Sequence, residues 1–331
     1  MLASQSSSVS VIALGGTIAS TGDGRGGVLP QLDADALVAG VPGLAETGIK
    51  ITATTFRSLP SASVTLADLA ELAALVEHEA AGSSGVVITG GTDTLEECAF
   101  YLDLATDPGV PVVVTGAMRN PTLAGADGPA NLLAAIQVAA SAVARGLGCL
   151  VVFSDEIHPA RSVRKTHTTS TAAFASPDAG PIGRVSENVP RVHRRLPPLP
   201  TIRPTRPGAP ANVAVLTTWL GDDGGLLDAI DHRYQGLVIA GVGGGQVPVA
   251  LVERLGRLAA GMPVVIASRT GAGQVLRNTY GYPGSDRDLR ERGLIGAGSL
   301  DPYKARILLH LLLAAGTDRD RIADAFAALG S

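Results

Sequence analysis

Two hydroxyl side chains occupy matching positions in this chain. Thr17 ends the run Leu14-Gly15-Gly16-Thr17 after the apolar stretch Val9 to Leu14, and Thr92 lies in Thr89-Gly90-Gly91-Thr92-Asp93-Thr94 after Gly85 to Ile88. Apolar runs of this length read as buried strands, so each threonine falls at a strand's carboxyl end, where open α/β sheets place their ligands. The glycines let a ligand approach the backbone closely. Two such turns imply a pair of nucleophiles or hydrogen-bond donors facing one small molecule. The bland alternative is that Thr92, Asp93 and Thr94 only cap a helix. Capping accounts for one or two of these residues and does not require Gly90 and Gly91 before them.

A hydroxyl nucleophile needs a base. Lys165, in Arg161-Ser162-Val163-Arg164-Lys165-Thr166-His167, reads in isolation as a solvated surface lysine. Beside a threonine and an aspartate, a desolvated lysine instead loses proton affinity and can accept a proton. His158 and His167 lack the HxxxH or carboxylate spacing of metal ligands, and no metal is expected. Cys98 and Cys149 are too few for a disulfide framework and read as small buried hydrophobes. Gly241-Val242-Gly243-Gly244-Gly245-Gln246 follows a strand, but Gln246 stands at the sixth position, where the dinucleotide fingerprint requires glycine. Neither Gly-Gly-Thr turn ends as a phosphate loop does, so no nucleotide cofactor is expected.

The elements that must position these residues follow from the rest of the chain. At 331 residues it exceeds what one core usually organises, which favours two domains. It is 46% apolar and only 3% aromatic with 41 glycines, the profile of a Val/Ile/Ala-rich α/β protein with many tight turns. A net charge of -4 gives no basic face for nucleic acid, and the arginines Arg191, Arg194, Arg195, Arg203 and Arg206 lie among prolines, as in a solvated linker. No run reaches the ~20 apolar residues of a membrane span, and Met1 to Ser10 has no signal-peptide pattern. A cytoplasmic protein with no membrane partner is expected.

Strands are expected at Val9–Leu14, Ile49–Thr54, Val86–Thr89, Val110–Thr115 and Cys149–Ser154, alternating with amphipathic helices. Thr65 with Asp68 forms a capping box, Asp93 and Thr94 cap the next helix, and Pro129 opens a third that runs through Val143. The proline-rich stretch Val189 to Pro210 reads as an extended linker. A second α/β set follows, with strands Val213–Thr218, Leu237–Ala240 and Pro263–Ser268 and helices near Asp223–Ile230, Val247–Ala260, Asp301–Ala315 and Asp318–Leu329. The domains expected are residues 1–190, a linker at 191–211, and 212–331.

Taken together these motifs resemble the bacterial-type L-asparaginase family over nearly the whole chain. Ala13 to Ala19 is similar to its first signature and Thr89 to Glu97 to its second. Thr115 to Arg119 with Ala126 to Leu132, then Lys165-Thr166, then Gly298 to Arg306 match in order and approximate spacing. The fold class expected is α/β in two domains: a larger N-terminal, mainly parallel open sheet flanked by helices, and a smaller C-terminal, flavodoxin-like α/β domain. The resemblance implies hydrolysis of the side-chain amide of L-asparagine to aspartate and ammonia without metal or organic cofactor. It puts Thr17 at the nucleophile's position and Thr92, Asp93 and Lys165 at those of the second threonine, the aspartate and the lysine. Ser58 would bind the α-carboxylate, Gly16 and Gly91 would line the substrate site, the backbone N–H groups at Thr17 and Thr92 would form the oxyanion hole, and the Ala117 carbonyl would accept from the leaving amide. The resemblance also implies a homo-oligomer, a dimer or a dimer of dimers, with each active site at a subunit interface and Gln246 reaching across it.

Three departures stand out. The loop Ser20 to Leu32 lacks the tyrosine that in the family assists the nucleophile, Gly90 replaces a common histidine, and Leu59 replaces a substrate-binding glutamine. Tyr280 and Tyr282, in the Gly-rich segment Asn278 to Ser285, are candidates to stand in for the missing tyrosine from a neighbouring subunit. Packing at the interface is their blander role. The alternatives in function are a glutaminase-asparaginase of broader specificity, an amidase subunit serving a tRNA-dependent partner, and a catalytically weak amino-acid sensor.

Overall fold

A computed structural model describes residues 7–204, 211–230 and 232–330. Arg206, Pro207 and Pro210 of the expected linker lie outside them. The chain divides into two units, Met1–Thr201 and Ile202–Ser331.

In the first unit the strands are β1 (Ser8–Gly15), β2 (Ser20–Gly22), β3 (Val28–Pro30), β4 (Lys50–Leu59), β5 (Gly85–Thr89), β6 (Val112–Thr115), β7 (Cys149–Phe153), β8 (Glu156–Pro159), β9 (Arg164–Lys165), β10 (Phe174–Ala175), β11 (Gly183–Ser186) and β12 (Val189–Val192). The helices are α1 (Ala34–Ala39), α2 (Leu66–Ala80), α3 (Leu95–Ala105) and α4 (Gly128–Ala140). Eight strands form one sheet in the order β12-β11-β8-β7-β6-β5-β1-β4. From β4 to β7 the pairing is parallel, and β8, β11 and β12 extend it antiparallel. The continuous apolar runs are the central strands: β5, β6 and β7 are buried throughout, because helices cover both faces of a parallel sheet. β4, at the edge, alternates between half-buried and exposed.

Several expectations shift on the structure. The stretch from Val189 does not begin as a linker. Val189–Val192 is an antiparallel edge strand, a position in a sheet where a proline such as Pro190 is tolerated. The third helix stops at Ala140, where Ser141 caps a separate short turn over Ala142–Ala144. The capping box at Thr65 and Asp68 forms in both directions. At α3 the expected capping does not occur: Thr94 is the N-cap residue but makes no side-chain cap bond. The hydroxyl and carboxylate that capping would use are committed elsewhere.

The second unit holds a parallel sheet in the order β13 (Val213–Thr217), β14 (Gly236–Gly241), β15 (Val264–Ser268) and β16 (Ile295–Gly296). Its helices are α5 (Val249–Gly261), α6 (Asp286–Glu291), α7 (Pro302–Ala314) and α8 (Arg319–Leu329). The helix expected near Asp223–Ile230 is a short 3-10 turn, Gly225–Ala229. Among the described residues no helix is long and apolar enough to cross a membrane.

One buried carboxylate ties α3 to the sheet. Asp103 accepts the Cys149 backbone N–H at 2.7 Å. Burial pushes its pKa from the ordinary 3.8 up to about 6, against the opposing pull of that N–H and of Arg161. A carboxyl whose folded pKa is raised favours folding below the unfolded value, and this contribution is lost as pH rises through about 6. The shift corresponds to about 3 kcal/mol. Asp103→Asn keeps an acceptor without the charge, and should remove this decline in urea-unfolding free energy between pH 4.5 and 7.5.

Candidate active site

The turns after four adjacent strands, β4, β1, β5 and β6, converge at the carboxyl end of the first unit's sheet. Gly16, after β1, has φ +78°, and a Cβ built on it would lie 2.2 Å from the Gly91 backbone nitrogen. A Cβ on Gly91 would meet the Ser61 side chain at 2.7 Å, and one on Gly116 would lie 2.6 Å from the Gly90 carbonyl oxygen and 3.4 Å from Thr92 Cγ2. The two Gly-Gly-Thr motifs are therefore in backbone contact, and only glycine permits that approach. Gly16→Ala combines a left-handed φ with a backbone clash and is expected to cost about 3–5 kcal/mol in chemical unfolding. Gly90→Ala, where an added Cβ meets nothing within 4 Å, should cost less than about 1 kcal/mol.

Thr17 opens a short 3-10 turn, Thr17–Ala19, and is half-buried. Thr92 is 4% exposed. Lys165 stands on β9, a two-residue strand paired with β10. Its Nζ donates to Thr92 Oγ1 at 2.8 Å and to Asp93 Oδ1 at 2.8 Å. The side chain of Lys165 is 16% exposed and that of Asp93 68%. The lysine is therefore not a solvated surface residue but part of a contiguous Thr92–Lys165–Asp93 array. Its ammonium, followed by the Ser61 hydroxyl, holds the Asp93 carboxyl below the usual carboxylate range, against its partial burial.

Ser61 escaped the sequence reading. Its Oγ donates to Asp93 Oδ2 at 3.0 Å, and its carbonyl accepts from Thr94 Oγ1 at 3.1 Å. Ser58, by contrast, is exposed on β4. The reason lies in strand length: β4 runs to Leu59, five residues past the expected end at Thr54, so the turn into the site comes at Pro60-Ser61. The signal available was topological, since Ser61 lies in the turn after the strand on the other side of β1 from the one that leads to Thr92. Glu96, a second omission, is buried in the first turn of α3, and its carboxylate accepts the Lys165 backbone N–H.

Ala117 is fully buried in the turn after β6. Asp127 braces that turn by accepting the N–H groups of Met118 and Arg119, and Asn131 Nδ2 donates to the Gly116 carbonyl at 3.0 Å. In the second unit Gln246 closes a tight turn, exchanging backbone hydrogen bonds with Val242 at 2.8 and 2.9 Å. Its Nε2 is buried without a hydrogen-bond partner among the described residues. Tyr280 and Tyr282 are exposed, with ring centroids 5.6 Å apart. Asp286 holds their loop by accepting the N–H groups of Thr279 and Tyr280. Among the described residues no group of three or more His, Cys, Asp or Glu side chains could hold a metal ion.

Residues 8–198 match the family described as "Asparaginase, N-terminal" and residues 212–326 that described as "Glutaminase/Asparaginase C-terminal domain". A probable L-asparaginase of Deinococcus radiodurans is 42% identical over 325 residues, 96% of each chain. A glutaminase-asparaginase of Acinetobacter glutaminasificans is 32% identical, covering 96% of this chain and 98% of the other. The crystal structure of a probable cytoplasmic L-asparaginase from Campylobacter jejuni superposes with a TM-score of 0.87 at 32% identity, over 97% of this chain and 99% of that one. With both halves matched and relatives aligned end to end, the chain belongs to the bacterial-type asparaginase family.

Proposed function

We propose that this chain hydrolyses L-asparagine to L-aspartate and ammonia through an acyl-enzyme on Thr17. The observation that carries the proposal is the array in which one lysine nitrogen reaches both Thr92 Oγ1 and Asp93 Oδ1, beside the Gly16–Gly91 contact that adjoins Thr17. Asp93, kept ionised by its partners, receives the substrate's α-ammonium. Ser61, hydrogen-bonded to the same carboxylate, is better placed than Ser58 to serve the α-carboxylate.

Thr17 Oγ attacks the amide carbon, and its proton passes through Thr92 Oγ1 to Lys165 Nζ, which accepts it only in the form of the enzyme that has first given up the ammonium proton held between Thr92 and Asp93 in the resting array. The carbonyl oxygen becomes an oxyanion facing the backbone N–H groups at Thr17 and Thr92. Each such donor is typically worth about 3 kcal/mol. Collapse breaks the C–N bond, the relay returns its proton to nitrogen, and ammonia leaves from beside the Ala117 carbonyl. Water then attacks the ester, giving one proton to the relay, and the threonine oxygen takes it back as aspartate departs.

The first domain, 1–190, carries this chemistry. The second, 212–331, supplies Gln246 and the Tyr280–Tyr282 loop to a neighbouring subunit in a cytoplasmic dimer or dimer of dimers. Ammonia release from L-asparagine and L-glutamine tests the reading directly. Turnover of asparagine supports it. Thermal stabilisation by asparagine without ammonia identifies a sensor instead.

A further inference from the structure

We infer that Glu96 is a positioning residue for the reaction, anchoring the Lys165 backbone so that Nζ rests on Thr92 and Asp93. The inference builds on the hydrolytic reading above. Glu96 is 8% exposed, and a carboxylate so buried must be matched by strong hydrogen bonds. Its Oε2 accepts the Lys165 N–H, 69 residues away in sequence. The same helix start sends Thr92 Oγ1 and Asp93 Oδ1 to Nζ, so residues 92–96 hold the lysine at its root and at its tip.

Both holds are needed. A lysine side chain has many rotamers to lose when its tip is fixed, and its root here lies on a strand of only two residues. That strand pairs with β10, and Thr166 N–H donates to Ala173 O at 2.7 Å, contacts that make the ribbon but do not fix it to α3. The Glu96 carboxylate ties α3 to the Lys165 backbone itself. Without it the root of the lysine can shift, and a misplacement of about 1 Å at a reacting group costs roughly 100-fold. Glu96 also favours the start of α3 by its charge, but Glu97 shares that turn, and the two roles differ in what a glutamine preserves.

The test uses the full chain carrying Glu96→Gln, Glu96→Leu, Lys165→Met and the double change Glu96→Leu with Lys165→Met. The measurements are kcat and KM for asparagine together with thermal unfolding. Glu96→Leu should lower kcat 30- to 100-fold with KM within 3-fold. Glu96→Gln, which keeps an acceptor oxygen, should stay within 5-fold of wild type. If Glu96 works through the lysine, adding Glu96→Leu to Lys165→Met should deepen the loss by less than 3-fold. Wild-type kcat in Glu96→Leu, or multiplied losses in the double variant, would overturn the inference. Should Glu96→Leu fail to fold, Glu96→Gln decides: kcat within 5-fold supports the inference, and a larger fall at unchanged Tm overturns it. A wild-type chain that releases no ammonia defeats the hydrolytic reading itself and takes this inference with it.

Discussion

Thr17→Ala is expected to lower kcat for asparagine by about 10,000-fold or more while leaving Tm nearly unchanged. The size follows from what is removed. A covalent nucleophile divides one difficult step into two, and its loss leaves only binding and oxyanion stabilisation. The small stability effect follows from place: Thr17 is half-buried at the start of a three-residue turn, so trimming its side chain costs about 1 kcal/mol or less. Thr17→Ser separates the hydroxyl from the methyl group. It restores the attacking oxygen and should recover most of the rate, because the turn is set by Gly15 and Gly16 and not by the β-branch. Steady-state ammonia release, with calorimetric unfolding of the same samples, checks both parts. A Thr17→Ala enzyme keeping more than 1% of wild-type kcat would remove Thr17 as nucleophile and shift attention to Thr92.

The site was legible in sequence where the chain is locally over-determined. Thr17 and Thr92 follow runs that are buried from end to end, and such runs have one place to go in a parallel sheet. The contact between their turns left its mark as paired glycines. Lys165 was legible only through the order of motifs. Its neighbours Arg164, Thr166 and His167 are polar, and nothing local separates it from a surface lysine; its environment comes from residues 69 to 73 positions away. Ser61 was missed because β4, an edge strand, lacks the continuous apolar run that would have marked its end. The capping expectation at Asp93 and Thr94 failed for an instructive reason. Residues with the right chemistry for an N-cap were taken by Lys165 and by the Ser61 carbonyl, so a local rule broke where the site required it. The antiparallel strands β8 to β12 are two to four residues long, too short for periodicity to register.

Lys165→Met is expected to lower kcat by about 1,000-fold, the middle of the range that a positioned proton acceptor contributes. Methionine fills the volume of the lysine stem, so the loss reports the nitrogen and not a cavity. The same change acts on Asp93 with a definite sign. In the wild-type chain the Lys165 ammonium holds the Asp93 carboxyl below the usual range, so the carboxylate persists to lower pH. Without that ammonium its pKa rises toward the ordinary value, and affinity for an α-ammonium begins to fall at a higher pH. Calorimetric titration with L-aspartate from pH 3 to 6 should therefore show the acid limb of binding displaced upward in Lys165→Met. Lys165→Arg separates the two roles, because a guanidinium keeps the positive charge beside Asp93 but does not release its proton in a protein. It should retain the wild-type acid limb and still lose turnover. If Lys165→Arg turned over at the wild-type rate, the lysine would act on charge alone, and the proton taken from Thr17 would need another acceptor.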